Sequence, residues 1–108
     1  MSKTIRSHAV FAIALSLTGV LSLAQPGEAV YRAKCQACHG ADGMGNTAVG
    51  RALKVRPINN PAVRASSEAQ MTETTRNGVA RMQAFKGELT DVQIKDAVSY
   101  FRALGNRI

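Results

Sequence analysis

Cys35-Gln36-Ala37-Cys38-His39 is the stretch of this sequence whose residue types and spacing could do chemistry. A step of three is nearly one helical turn, so both thiols project from the same side of a short helix. A haem carries two vinyl groups on neighbouring edges, which two such thiols could bridge as thioethers. The adjacent imidazole is then carried over the ring, where a nitrogen can bind the iron. C-x-x-C-H reads as c-type haem attachment, with Cys35 and Cys38 bonded to the porphyrin and His39 on the metal. Three other uses fit less well. A redox dithiol is expected near a βαβ pattern, and the sequence has none. A structural zinc site takes four protein ligands, whereas the chain offers two Cys and one usable His, since His8 lies in a segment expected to be removed. A disulfide between Cys35 and Cys38 would close a tiny loop and contribute little.

The elements that must position this motif read as helices. Residues 26–34 predict a first helix leading into it, with Pro26 at an early position and Gly27 and Tyr31 on one face, four residues apart. A glycine there admits another helix closely, and Tyr31 gives the contact bulk. Residues 40–50 are glycine-rich and read as a loop passing near the haem edge, which Ala52, Leu53 and Val55 could cover. Residues 57–61, from Pro57 to Pro61, read as a turn. A carbonyl there, Pro57 by preference, could accept from the other nitrogen of His39 and fix its tautomer. Ser67 and Gln70 form a capping box opening a helix that Asn77-Gly78 ends. Thr90 and Gln93 open the last helix in the same way. Its apolar stripe runs through Ile94, Ala97, Val98, Phe101 and Leu104, and Gly105 is expected to stop it. Tyr100 and Phe101 are large enough to pack across Gly27 and Tyr31. Aromatic residues make up only 5% of the 108 residues and Trp is absent, so a buried haem would supply the apolar bulk that the chain lacks.

Residues 1–24 read as a secretory signal peptide. Lys3 and Arg6 give the positive start, residues 9–21 the apolar middle, and Ser22-Leu23-Ala24 the small residues before cleavage. The alternative is a retained anchor, but the apolar run falls short of the roughly 20 residues of a spanning helix. The expected organisation is therefore a signal peptide over 1–24 and one domain over 25–108, in the periplasm, with no stable membrane insertion after cleavage. Without Lys3 and Arg6, twelve basic side chains remain against 7 acidic ones. They are scattered and not interleaved with aromatics, so nucleic-acid binding is unsupported. The excess is either a solvated surface or a positive face that steers an acidic redox partner.

A second axial ligand can be sought among the methionines. Met44 is five residues beyond His39, too close to swing easily to the opposite haem face. Met71 lies inside a helix, where methionine more often fills the core. Met82 lies in a loop far along the chain, bracketed by Gly78 and Gly87, with room to present its sulfur. Met82 is preferred, with Met71 or an open iron as the alternatives.

These residues together resemble a small bacterial class I cytochrome c. The likeness takes in Gly27-x-x-x-Tyr31, the motif from Cys35 to His39, the glycine-rich loop to Ala52-Leu53, Gly78 with Met82 and Phe85, and Tyr100 in the terminal helix. It implies an all-α cytochrome c fold, three to five short helices around one covalently bound haem c, with crossed N- and C-terminal helices. It also implies Cys35 and Cys38 as thioether sites and His39 and Met82 as iron ligands. One departure is Gln83, which stands where many relatives carry Pro. A soft, neutral thioether favours ferrous iron and raises the potential, and two occupied axial positions leave no place for substrate. The expected function is thus one-electron transfer, not catalysis, by a monomer shuttling between a redox donor and acceptor with acidic docking surfaces. A haem subunit of a larger periplasmic oxidoreductase is the alternative, and a haem sensor or enzyme with an open site a third reading.

Overall fold

The computed structural model describes residue 9, residues 12 and 13, and residues 24–107. Apart from Ala9, Ala12, Ile13 and Ala24, the expected signal peptide lies outside the described residues. Six α-helices follow in chain order, α1 Glu28–Lys34, α2 Gln36–His39, α3 Ala48–Ala52, α4 Pro61–Ala65, α5 Glu68–Asn77 and α6 Asp91–Leu104, then a 3-10 turn over Gly105–Arg107. Among the described residues there is no strand, only isolated bridges between Val79 and Met82 and between Lys86 and Leu89. The architecture is the expected all-α one. Three of the helices, α2, α3 and α4, are only four or five residues long, which takes the count to six rather than three to five.

Local chemistry sets the helix ends. Both expected capping boxes are present: Ser67 with Gln70 opens α5, and Thr90 with Gln93 opens α6. Each satisfies backbone N–H groups that the first turn leaves without partners. Gly78 closes α5 with φ 77°. Two helices were not expected. Thr47 accepts from the Gly50 N–H to cap α3, and Asn60 accepts from the Ala62 N–H, ahead of Pro61, to cap α4.

Helix α6 packs against α1 and α5. Its buried side chains divide between two clusters. Tyr100 and Leu104 join Tyr31 of α1, with Cys35 and Phe101 partly buried beside them. Ile94 and Val98 join Phe85, with Met71, Met82 and Leu89 partly buried beside them. Tyr31 is 1% exposed and Ile94 0%, and burying one such side chain contributes about 1.5–3 kcal/mol. The Tyr31 ring lies 5.2 Å from that of Tyr100 and is stacked 6.1 Å from that of Phe101. The terminal helices therefore meet through the residues that sequence pointed to.

Two glycines differ from expectation in an instructive way. Helix α1 starts at Glu28 rather than Pro26, because Gly27 adopts φ 84° and leaves Pro26 in the preceding turn. A Cβ on Gly27 would also overlap the Asp96 carbonyl and lie 2.6 Å from the Ala97 nitrogen. Gly105 ends α6 as expected, but not in a left-handed cap. Its φ is −62°, and the chain tightens into the 3-10 turn. It is a glycine position for another reason, since a Cβ there would stand 2.9 Å from Ile58 Cγ1. Gly27→Ala is expected to destabilise the haem-matured protein by at least about 1–3 kcal/mol, from the left-handed backbone alone. A lower guanidinium midpoint measured by circular dichroism would check this, and an unchanged midpoint would contradict the close packing of α1 on α6.

Candidate haem site

Helix α2 is a single turn, and its neighbours hold it from three directions. The His39 N–H donates to the Cys35 carbonyl at 2.9 Å and the Gly40 N–H to the Gln36 carbonyl at 2.8 Å, closing the turn. From α1, the Tyr31 hydroxyl donates to the Gly40 carbonyl at 2.6 Å. From α3, the hydroxyl of Thr47 donates to the Ala37 carbonyl at 2.7 Å. From the intervening loop, the Gly45 N–H donates to the His39 carbonyl at 2.7 Å. A four-residue helix has little stability alone, so these bonds decide where the two thiols and the imidazole sit.

The loop carrying Met82 is pinned at its base. Val79 and Met82 exchange backbone hydrogen bonds of 3.1 and 2.8 Å, making a tight turn. The Phe85 N–H then donates to the Thr75 carbonyl and the Lys86 N–H to the Arg76 carbonyl, each at 3.1 Å, returning the chain to the end of α5. Phe85 is buried and Met82 packs on the cluster around it.

All four expected site residues, Cys35, Cys38, His39 and Met82, line one cavity of about 800 Å³. That volume lies in the range of ~300–1,000 Å³ typical of ligand pockets. Leu53, Val55, Val63, Phe85, Val98 and Phe101 supply much of its apolar wall. The Phe101 ring meets the His39 ring edge-on with centroids 5.1 Å apart. Met71 also reaches the cavity while packing in the Phe85 cluster, in keeping with the core role expected of it. Met44 is not among the lining residues.

The chemistry of the donors fits a haem. Burial pushes the Cys35 thiol up to about 11, with Cys38 adding to the effect. A redox C-x-x-C pair has a lowered value, so the dithiol reading loses support. Both cysteines are free thiols, as attachment to a vinyl requires. Burial lowers the pKa of His39, which keeps its imidazole neutral and able to ligate a metal. The Nδ1 atom of His39 is buried without a hydrogen-bond partner. The expected bond to Pro57 is therefore not seen: the Pro57 carbonyl accepts from the Asn60 N–H at 2.9 Å, in the turn before α4. Sequence reasoning also missed the cations that line the cavity, Lys34, Lys54, Arg56 and Arg81. Scattered along the chain, they gave no periodic signal.

Comparison with known proteins agrees with this geometry. A family described as cytochrome C oxidase, cbb3-type, subunit III matches residues 22–101. The cbb3-type cytochrome c oxidase subunit CcoP of Azospirillum brasilense is 33% identical over 84 residues, 76% of this chain and 28% of the relative. The chain thus spans under a third of that relative's length. Among solved structures, the KustC0563 c-type cytochrome is similar with a TM-score of 0.66 and 30% identity, over 72% of this chain and 95% of that one. A mutant of the same protein gives 0.65 and 27%.

Tyr31→Phe would remove the donor to Gly40 without changing the shape of the core. The Gly40 carbonyl keeps a bond from the Gly43 N–H at 3.2 Å, so the cost is expected to be about 0.5–1.5 kcal/mol. Denaturant titration of the haem-loaded protein would measure it; no loss would mean that α1 does not help to anchor α2.

Proposed function

Because the chain belongs to the family of cytochrome c oxidase, cbb3-type, subunit III, and is a small monohaem class I cytochrome c, we propose that it passes single electrons between redox proteins outside the cytoplasm. Haem c is its covalently bound cofactor. When bound, haem c supplies a one-electron iron couple. In this reading Cys35 and Cys38 hold the porphyrin edge as thioethers, His39 binds the iron from α2, and Met82 binds it from the 78–89 loop. The observation that carries the assignment is the gathering of these four side chains, from two distant parts of the sequence, around one apolar cavity.

Each residue has a definable part. The hydrogen bonds around α2 fix the turn that carries His39, and the pinned base of the Met82 loop keeps the sulfur near the cavity. A thioether donor favours the ferrous state and raises the potential. With His39 and Met82 both holding the iron, no place for a substrate would remain, and the chain would carry electrons rather than transform molecules. Phe85, Val98 and Phe101 keep water from the metal's surroundings. Gln83 gives the loop more freedom than Pro would.

A second reading is favoured by the relative from Azospirillum brasilense: this chain is a haem c subunit of a larger oxidase-type complex, just as CcoP is a subunit of a cbb3-type cytochrome c oxidase. The likeness to the KustC0563 c-type cytochrome fits either reading. Size-exclusion of native extract, followed by haem staining, distinguishes them: a carrier elutes near its own mass, a subunit with its complex. Among the described residues no helix is long and apolar enough to cross a membrane.

Two results test the ligand set. The mature protein should weigh one haem more than its polypeptide, and Cys35→Ala with Cys38→Ala should abolish that gain. The reduced native protein should resist carbon monoxide at neutral pH, whereas Met82→Ala should bind it promptly with an altered visible spectrum. Prompt binding by the native protein, or an unchanged spectrum in Met82→Ala, would remove Met82 from the iron.

A further inference from the structure

Among the described residues, four ion pairs are tight, at 2.6, 2.8, 2.9 and 3.0 Å. A fifth, Arg102 with Glu68, stands at 3.6 Å, too long for a hydrogen bond. Both of its side chains line a second cavity, of about 420 Å³, between α4, α5 and the end of α6. Met71 is the one residue common to its lining and that of the haem cavity, so the two are separate spaces. Arg64 of α4 lines the smaller one as well, and it takes part in none of these ion pairs.

Backbone packing brings the two arginines to one place. The close approach of Gly105 to Ile58 sets the end of α6 against the turn that precedes α4. In α4 the Arg64 N–H donates to the carbonyl of the capping Asn60 at 2.9 Å, which puts Arg64 in the last turn. On α6, Ser99 and Arg102 are three residues apart and share a face, and Asn106 follows four residues later in the 3-10 turn. Ser99 and Asn106 also line the cavity. The hydroxyls of Ser66, Thr72 and Thr75 are each spent on the carbonyl four residues back. Ser99, inside α6, makes no such bond, so its hydroxyl is left for the cavity.

Two guanidinium groups, a hydroxyl and a side-chain amide, all able to donate, thus face one carboxylate. Guanidinium forks match the paired oxygens of an oxyanion. We propose that this second cavity binds a small oxyanion of the phosphate class, held by Arg64 and Arg102 with Ser99 and Asn106 as neutral donors. Free phosphate, a phosphate monoester and a lipid phosphate headgroup share that chemistry. Glu68 is the opposing group: its charge repels the anion and it competes for Arg102. Because its contact with Arg102 is loose, an oxyanion displaces it without breaking a hydrogen bond. None of these groups belongs to the haem assignment, so the site stands or falls apart from it.

The test titrates inorganic phosphate against the haem-loaded full chain, followed by phosphorus NMR, with ionic strength held constant by chloride. The native protein should bind phosphate saturably. Arg64→Gln and Arg102→Gln should each weaken binding about tenfold or more, the fold-change of a lost charge-assisted hydrogen bond. Glu68→Gln should tighten it several-fold, which a purely structural Glu68 would not produce. Lys95→Gln removes an exposed α6 cation outside both cavities and should leave the affinity unchanged. Co-sedimentation with phosphatidic acid vesicles separates the sources. Capture that free phosphate competes away and Arg64→Gln weakens assigns the site to a headgroup; phosphate binding without capture assigns it to a free anion. Absence of saturable phosphate binding overturns the proposal. So does an equal loss in Lys95→Gln and Arg64→Gln, or a Glu68→Gln protein that binds no tighter than the native one.

Discussion

Helix α6 carries buried side chains in two separate clusters among the described residues, and the rest of the structure depends on how those clusters are held. One is built around Tyr31, Tyr100 and Leu104, the other around Phe85, Ile94 and Val98. Both lean on α6, and the cavity of about 800 Å³ has walls from both. Cys35 packs beside the first cluster and Met82 beside the second. A haem bonded at Cys35 and ligated by Met82 would therefore join the halves that the polypeptide leaves apart. A domain of this size buries a modest share of its surface and is marginal without such help, and a large apolar cofactor provides it.

The polar framework works in the same direction. The side-chain bonds to α2 go from Tyr31 to the Gly40 carbonyl at its end and from Thr47 to the Ala37 carbonyl within it, so the turn beside the thiols is fixed by its neighbours. Most of the carboxylates are spent on ion pairs at the protein's periphery, including Glu88 with Lys34 and Asp91 with Arg76. These exposed pairs contribute little stability each, but they decide which cations remain. Among the described residues, what remains unpaired at the cavity rim is positive: Lys54, Arg56 and Arg81.

Much of the site was legible before any coordinates. The five-residue motif fixes ligand types by covalent spacing, which tertiary structure cannot alter. The capping boxes at Ser67 and Thr90 and the stop at Gly78 are local chemistry, readable within four residues, and they appear as expected. Helices α3 and α4 were missed because each is one turn with no amphipathic repeat to detect. In hindsight their caps, Thr47 and Asn60-Pro61, were the available signal. Pro57 was preferred as the acceptor from His39 although no spacing selects it, and its carbonyl serves Asn60 instead, a choice that depends on how the turn closes.

From residue order alone came the thiol pair with its imidazole, the loop methionine, and the helical stripe that faces them, because these depend on spacing along the chain. Only the folded chain decided that Met82 and His39 share a cavity, that Gly105 ends α6 in a right-handed turn packed against Ile58, and that Lys54 adopts a left-handed turn at the rim. Those outcomes depend on which distant backbones pass within a few ångströms of one another, and a linear pattern carries no measure of that distance.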